Sequence, residues 1–372
     1  KKGDAVIVVS SNGGYSKIRT GNGKVGVIKT KKLENEFTIR EDMTEEKQIS
    51  GKVNLTWDYY SEYATAPDRS GTKFDGVNVV SPAFFYLDTD GKLQENVGDS
   101  GQAYIQWAKN NGYKVWPMVS NAVAAKSNLN ITSKIMNSYE ARKNLIEDIV
   151  NMCVKYNLDG INIDFENMKA DDKDMYSRFI IELEPRLKDM GMTLSVDVTA
   201  PDGGETWSMC FDRNVIGDVA DYIVFMAYDQ NGASSTKPGT TAGYNWVKLN
   251  LVKFLQTEEI EANKLILAVP LYTRVWTTNS SGKLISNNSV AMKNIDSVVP
   301  SNANKQWDDN LKQNYVEYTD NGNKKQVWIE DLTSLKAKIS LINDNNLAGV
   351  ASWSVDMAQN DVWSMIKTEL KK

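Results

Sequence analysis

Asp159-Gly160-Ile161-Asn162-Ile163-Asp164-Phe165-Glu166 alternates polar and apolar side chains with a period of two. That is the period of a β-strand, which sends Asn162, Asp164 and Glu166 to one face and Ile161, Ile163 and Phe165 to the other. Two carboxylates and an amide then rise in a row toward the strand's C-terminal end. Buried acids are costly unless paired or functional, and neighbouring like charges raise one another's pKa, which keeps a glutamic acid protonated near neutrality. The stretch is therefore a candidate proton-transfer site. A structural polar network facing inward is the alternative.

Working outward, seven further runs read as strands: 53–57, 76–85, 113–120, 193–199, 221–228, 264–272 and 348–354. Between several of them lie amphipathic helical patterns. Leu145, Ile146, Ile149 and Cys153 share one face of 141–156, and Phe179, Ile180 and Leu183 share one face of 175–187. Eight strands with intervening helices fit an α/β fold, a (β/α)8 barrel, whose layers are filled mainly by branched apolar side chains and whose chemistry sits at the C-terminal strand ends. Polar residues inside such a barrel favour the functional reading of the opening stretch. Residues from about 273 to 326 are too many and too polar for a simple loop, so a small α+β insertion is expected between strands seven and eight.

Composition narrows the chemistry. The 372 residues include no histidine, which excludes Ser-His-Asp and Cys-His nucleophiles and any histidine-ligated metal. Cys153 and Cys210 lack metal-ligand spacing and read as buried small hydrophobes. No motif calls for a metal or organic cofactor, so none is expected. Ten Trp and 16 Tyr, with 41% apolar residues, describe an ordinary globular chain, and no apolar run reaches the length of a membrane-spanning helix. The chain begins at Lys1 with neither an initiator Met nor an apolar signal region, which suits a processed or a trimmed product alike.

Charge is uneven. Residues 1–32 hold eight Lys/Arg and one acid, a balance of +7, while the other 340 residues hold 35 basic and 47 acidic, or −12. Short β-like runs at 5–10, 15–20 and 24–30, with a turn at Gly21-Asn22-Gly23, make this segment a separate small β module. Polar residues 34–51 read as a linker, dividing the chain into residues 1–48 and 49–372. A basic module attracts polyanions such as cell-wall polymer; a merely solvated lysine-rich face is the alternative.

DGINIDFE resembles the strand-four signature of glycoside hydrolase family 18, the chitinase-like TIM barrels, usually Asp-Gly-x-Asp-x-Asp-x-Glu. Three more stretches carry the resemblance in order across residues 52–372: Met226-Ala227-Tyr228-Asp229, Ala268 to Arg274, and Gly349 to Trp353. The resemblance implies that Glu166 protonates the glycosidic oxygen. It implies that Asp164 holds the substrate's 2-acetamido N–H and that Tyr228 donates to its carbonyl oxygen, which itself attacks the anomeric carbon; this is an exception to two-carboxylate chemistry. Trp353 would form the floor under the sugar. Core packing is the alternative for both aromatics.

Asn162 departs from the pattern, standing where the first inner Asp is expected. An amide removes a negative charge there and leaves a hydrogen-bonding partner for Asp164. In this form the motif is similar to the spore-cortex and cell-wall lytic N-acetylglucosaminidase branch. The stretch Gly14 to Leu33 resembles bacterial SH3-like domains, which often bind cell walls. Together these imply a retaining glycosidase that cleaves β-1,4 bonds beside N-acetylglucosamine in peptidoglycan, located outside the cell at the wall or spore, with no nucleic-acid partner. Chitinase activity and an inactive carbohydrate-binding barrel are the competing readings. Further substrate-contact candidates are Met226, Asp229, Tyr272, Arg274, Trp57 and Trp116, with Trp276 also near a strand end; for the tryptophans and Asp229, ordinary packing or pairing is the alternative. Trp107, Trp328 and Trp363 sit in helical patterns and read as core.

Overall fold

The structure, a computed structural model, describes residues 6–20, 24–34, 49–121 and 128–372. All eight expected barrel strands are present: Val53–Asp58, Val79–Pro82, Lys114–Ser120 in two pieces, Gly160–Asp164, Thr193–Val198, Tyr222–Met226, Leu265–Pro270 and Gly349–Trp353. Strand three is broken because Pro117 has no N–H to give the ladder. Its first piece, Lys114–Val115, pairs with strand two, and its second, Met118–Ser120, pairs with strand four. Two bonds carry the ladder across the break, Trp116 N–H to Val80 O (3.0 Å) and Asn162 N–H to Pro117 O (3.0 Å). Strand eight pairs with strand one in parallel, so the sheet closes on itself.

The alternation puts two sets of side chains to work. Ile161, Ile163, Leu194, Val196, Phe225 and Leu267 point outward into the large core shared with the helices. These include Tyr139–Lys155, capped by Ser138, and Lys173–Lys188. Inside, Val53, Leu55, Trp57, Val79, Met118, Val224, Ile266 and Ala351 fill most of the barrel. The sector around strands four and five is polar instead, with Asn162, Asp164, Ser195 and Asp197 all buried.

Between strands seven and eight lies a five-stranded antiparallel sheet made of Tyr272–Thr278, Leu284–Ala291, Lys305–Asp308, Gln313–Asp320 and Asn323–Ile329. The expectation of an α+β unit is corrected here: its one helical segment is the 3-10 turn Met292–Ser297. Trp328, read from sequence as helical, lies on the last strand and packs on Tyr315 at 4.9 Å. Beneath the sheet, Lys338 and Glu330 form a wholly buried pair at 2.6 Å, and Gln313 and Ser334 also donate to Glu330.

Near the N-terminus Val6–Asn12, Tyr15–Thr20 and Val25–Lys29 form a three-stranded antiparallel sheet. Its first turn is Gly13-Gly14, both at positive φ as a tight hairpin demands. The expected Gly21-Asn22-Gly23 turn and most of the 34–51 linker lie outside the described residues. Arg19 on this sheet meets Asp189, just past the helix Lys173–Lys188, at 2.5 Å.

Ring closure has a steric signature at Gly349. A Cβ there would stand 2.0 Å from the Val53 carbonyl oxygen, a backbone atom that cannot move without parting strands one and eight. Overpacking of this kind costs about 1–3 kcal/mol or more. Gly349→Ala is expected to lower Tm by several degrees in calorimetry; an unchanged Tm would show that the closure relaxes freely.

Candidate active site

Asn162 is the hub of the polar sector. Its Oδ1 accepts from Trp57 Nε1–H at 2.9 Å, and its Nδ2 donates to Ser195 Oγ (3.0 Å) and Asp197 Oδ1 (2.7 Å). The indole N–H can only donate, so the amide oxygen must face Trp57 and the NH2 must face strand five. Both amide hydrogens are thus engaged away from Asp164. The sequence expectation that Asn162 serves as a hydrogen-bonding partner of Asp164 is corrected by this geometry.

Asp164 follows one step up the strand, buried, with Oδ1 lacking a partner among the described residues. Burial pushes its pKa up to about 6, while a side-chain hydrogen bond with Glu166 pulls the other way. Glu166 lies just beyond the strand end and is partly accessible from the mouth. Its carboxyl is held well above the ordinary range by burial, by the charge and hydrogen bond of Asp164, and by Asp197 and Asp229. A carboxyl in that setting keeps its proton and can deliver it.

Strand six brings Tyr228 and Asp229. Burial and the surrounding acids, Asp197 first, push the Tyr228 phenol upward, so it remains a hydrogen-bond donor. Its ring stands edge-on to Tyr272 at 6.4 Å. Asp229 adopts a left-handed backbone, φ +55°, uncommon for a residue other than glycine. Tyr272 O–H donates to Asp229 Oδ1 at 2.6 Å, and Arg274 lies 3.6 Å from the same oxygen while donating to Asn287. Met226 ends strand six, buried.

At the end of strand eight Trp353 is half-buried, with Trp57 at 5.8 Å and half-exposed Tyr59 at 5.4 Å. Trp57 itself is wholly buried and spends its one polar atom on Asn162. It supports Trp353 and offers no open face to a sugar. Trp116 lies at the wrong end. It packs on Tyr222 at 5.6 Å and abuts Gly160, residues that begin strands six and four, so it plugs the end of the barrel opposite the mouth. Trp276 is buried in the insertion sheet with its N–H on the Gly239 carbonyl. The placement of these tryptophans at sugar-stacking positions is corrected.

Three contributors were missed in the sequence. Asp197 is the inward acid of strand five, recognisable only by its alternation with Ser195 inside an apolar run. Tyr59 follows strand one. Asn121 follows strand three and grips the backbone of Glu166 from both sides, donating to its carbonyl at 2.9 Å and accepting from its N–H at 2.9 Å. Among the described residues no cluster of acids and cysteines is arranged to hold a metal ion.

The sequence model of Glycosyl hydrolases family 18 matches residues 55–358. An uncharacterized glycosylase, YvbX, of Bacillus subtilis (strain 168) is 26% identical over 319 residues, covering 84% of this chain and 90% of that protein. The cortical fragment-lytic enzyme of the same organism is 25% identical over 241 residues, covering 63% of this chain and 55% of its own length. Among solved structures, a chitinase from Chromobacterium violaceum ATCC 12472 superposes with a TM-score of 0.74 at 22% identity, covering 87% of this chain and all of that one.

The Asn121 grip yields a test. Asn121→Ala strands two backbone groups of Glu166, each costing about 1–3 kcal/mol if left unpaired. Turnover is expected to fall about tenfold with a lowered Tm, read from steady-state kinetics and calorimetry. Unaltered turnover would show that Glu166 is held by other contacts.

Proposed function

The chain belongs to glycosyl hydrolase family 18 and is a glycosidase, and from that premise we propose a retaining, substrate-assisted hydrolysis of β-1,4 bonds beside N-acetylglucosamine in peptidoglycan. The observation that carries the mechanism is the Asp164–Glu166 pair: one buried acid directly beneath a second that keeps its proton. Asp164 lies under the sugar site, on the strand that carries Glu166, and is hydrogen-bonded to it, which leaves it poorly placed as a nucleophile on the opposite face of the anomeric carbon. The acetamido oxygen of the substrate supplies that nucleophile instead.

In the first step Glu166 gives its proton to the glycosidic oxygen as the C1–O bond breaks, and the acetamido carbonyl oxygen bonds to C1. The positive charge that develops on the acetamido N–H falls on Asp164, and Tyr228 O–H steadies the carbonyl oxygen as the ring closes. Water then attacks C1, its proton passing to the Glu166 carboxylate, and the ring reopens with the original anomeric configuration. Trp353 and Tyr59 line the floor, and Asp229, fixed by Tyr272 and Arg274, borders the sugar's polar edge.

Peptidoglycan, rather than chitin, is supported by Asn162 in the strand-four motif, by the basic N-terminal segment, and by the likeness to a cortical fragment-lytic enzyme. Lys17, Lys29, Lys31 and Lys32 are exposed on or beside the N-terminal sheet, suited to an anionic wall. Action on such a wall is in keeping with a protein outside the cell, at the wall or spore.

Glu166→Gln keeps size and hydrogen bonding but has no proton to give, and general acid catalysis contributes about 10² to 10⁴-fold. A loss of that size with sugar binding retained is expected, and hydrolysis of a glucoside lacking the acetamido group should be negligible in the wild type; near-normal turnover by the variant, or equal cleavage of the glucoside, would remove the mechanism. Mass analysis of products from spore cortex, vegetative wall and chitin decides the substrate, since the new reducing-end sugar identifies the bond cut.

Adsorption supplies an independent measurement. Replacing Lys17, Lys29, Lys31 and Lys32 by Gln is expected to reduce pull-down on purified wall at low salt and leave hydrolysis of small soluble substrates unchanged. Wild-type adsorption should itself weaken as salt is raised, because exposed charges are screened beyond about 8 Å at physiological ionic strength. Equal, salt-insensitive adsorption by both proteins would locate the anchor elsewhere.

A further inference from the structure

The mechanism above leaves one buried acid of the barrel's polar sector unused. Asp197 sits on strand five, one register step beyond the Ile163–Val196 pair, and is therefore the lateral neighbour of Asp164 on strand four. Adjacent strands lie about 4.8 Å apart, so two inward carboxyls at neighbouring positions face each other closely. Asp197 Oδ1 accepts the Asn162 amide at 2.7 Å. Its Oδ2 and Asp164 Oδ1 are both buried without a partner among the described residues. Two ionised carboxylates with orphaned oxygens in one dry pocket are mutually destabilising, whereas one proton turns an orphan acceptor into a donor.

We propose that Asp197 is a positioning residue for Asp164, holding the single proton the two carboxyls share and presenting it toward the ionised Asp164. Asn162 cannot fill this role, because both of its amide hydrogens are taken by Ser195 and Asp197. The strand-five acid thus supplies the acidic partner that strand four lacks. This inference rests on the assignment of Asp164 to the acetamido group.

The groups facing Asp197 favour the protonated form. From strand four come Asp164 and the Asn162 amide, with Glu166 above; from strand six comes Tyr228; from the helix Lys173–Lys188 comes Tyr176, whose buried hydroxyl has no partner among the described residues. None of these is a cation. Burial first, then the charge of Asp164, hold the Asp197 carboxyl well above the ordinary range, and the Asn162 hydrogen bond only partly opposes them. The hydrogen bond presented to Asp164 acts in the opposite sense on that residue: it favours the carboxylate and keeps Asp164 ionised to lower pH.

The stored proton is tested first without substrate. With aspartate carboxyls isotopically labelled to separate them from Glu166, infrared spectra of the full chain at pH 7 should show a protonated aspartic acid band that Asp197→Asn abolishes. A missing band, or one that survives the substitution, overturns the proposal whatever the fate of the acetamido mechanism. Kinetics then test positioning. Asp197→Ala should lower kcat about tenfold with KM within about twofold, the scale of one lost hydrogen bond, and move the acid limb of the pH profile upward by about one unit, since Asp164 now protonates sooner. Asn162→Asp added to Asp197→Ala restores an acid beside Asp164 and should recover most of the loss and return the limb. An unmoved limb, or a double variant no better than the single, overturns the positioning role. A purely structural defect would lower Tm and activity together without rescue. If the band and the limb behave as expected while acetamido-free sugars are cleaved equally well, the proton store stands and the acetamido assignment fails.

Discussion

The site depends on the orientation of one amide. Asn162 is buried inside the barrel with every polar atom occupied: Trp57 of strand one donates to it, and Ser195 and Asp197 of strand five accept its two amide hydrogens. A flip would set N–H against N–H at Trp57 and oxygen against oxygen at Asp197, leaving buried groups unpaired at about 1–3 kcal/mol each. The amide therefore fixes the rotation of strand four relative to strands one and five. Asp164 and Glu166, two and four residues further along the same alternation, inherit their direction from it.

This dependence also explains which parts of the protein can be read from sequence. A parallel strand buried on both faces is a short apolar run, and eight such runs with intervening helical periods specify a barrel with little ambiguity. The alternating acids of strand four stand out because acids are rare inside such runs. Alternation does not reveal height within the barrel, and Trp116 shows the consequence: it points inward, but four residues below the level of Ser120 and Asp164, at the closed end. Trp57 is likewise inward yet consumed by Asn162. A lone inward acid such as Asp197 gives only the weak signal of its alternation with Ser195, because its meaning comes from a register partner about thirty residues away, which only the folded sheet identifies. Asn121 is equally silent, a polar residue after a strand whose bonds reach a backbone 45 positions on. In the insertion, polar alternating residues were read as mixed structure, whereas long antiparallel hairpins use that same alternation with one face solvated.

The arginines around the mouth complete the electrostatic design. Arg69 is gripped by Asp58 through Nε (2.8 Å) and Nη2 (2.6 Å) and reaches Asp356 as well, bracing the ends of strands one and eight around Trp353. Arg274 is shared between Asp229 and Asn287. Each cation is thus spent on a rim carboxylate or amide. Had either reached the central acids, its charge would have pulled Glu166 down toward the ordinary carboxylate range, and a glutamate ionised at neutral pH has no proton to donate. Pairing the arginines at the rim does two things with one set of contacts: it anchors the loops that carry the sugar floor, and it keeps both guanidinium charges off Asp164, Glu166 and Asp197. The high affinity of Glu166 for its proton follows from what the barrel keeps away from it as much as from what it places beside it.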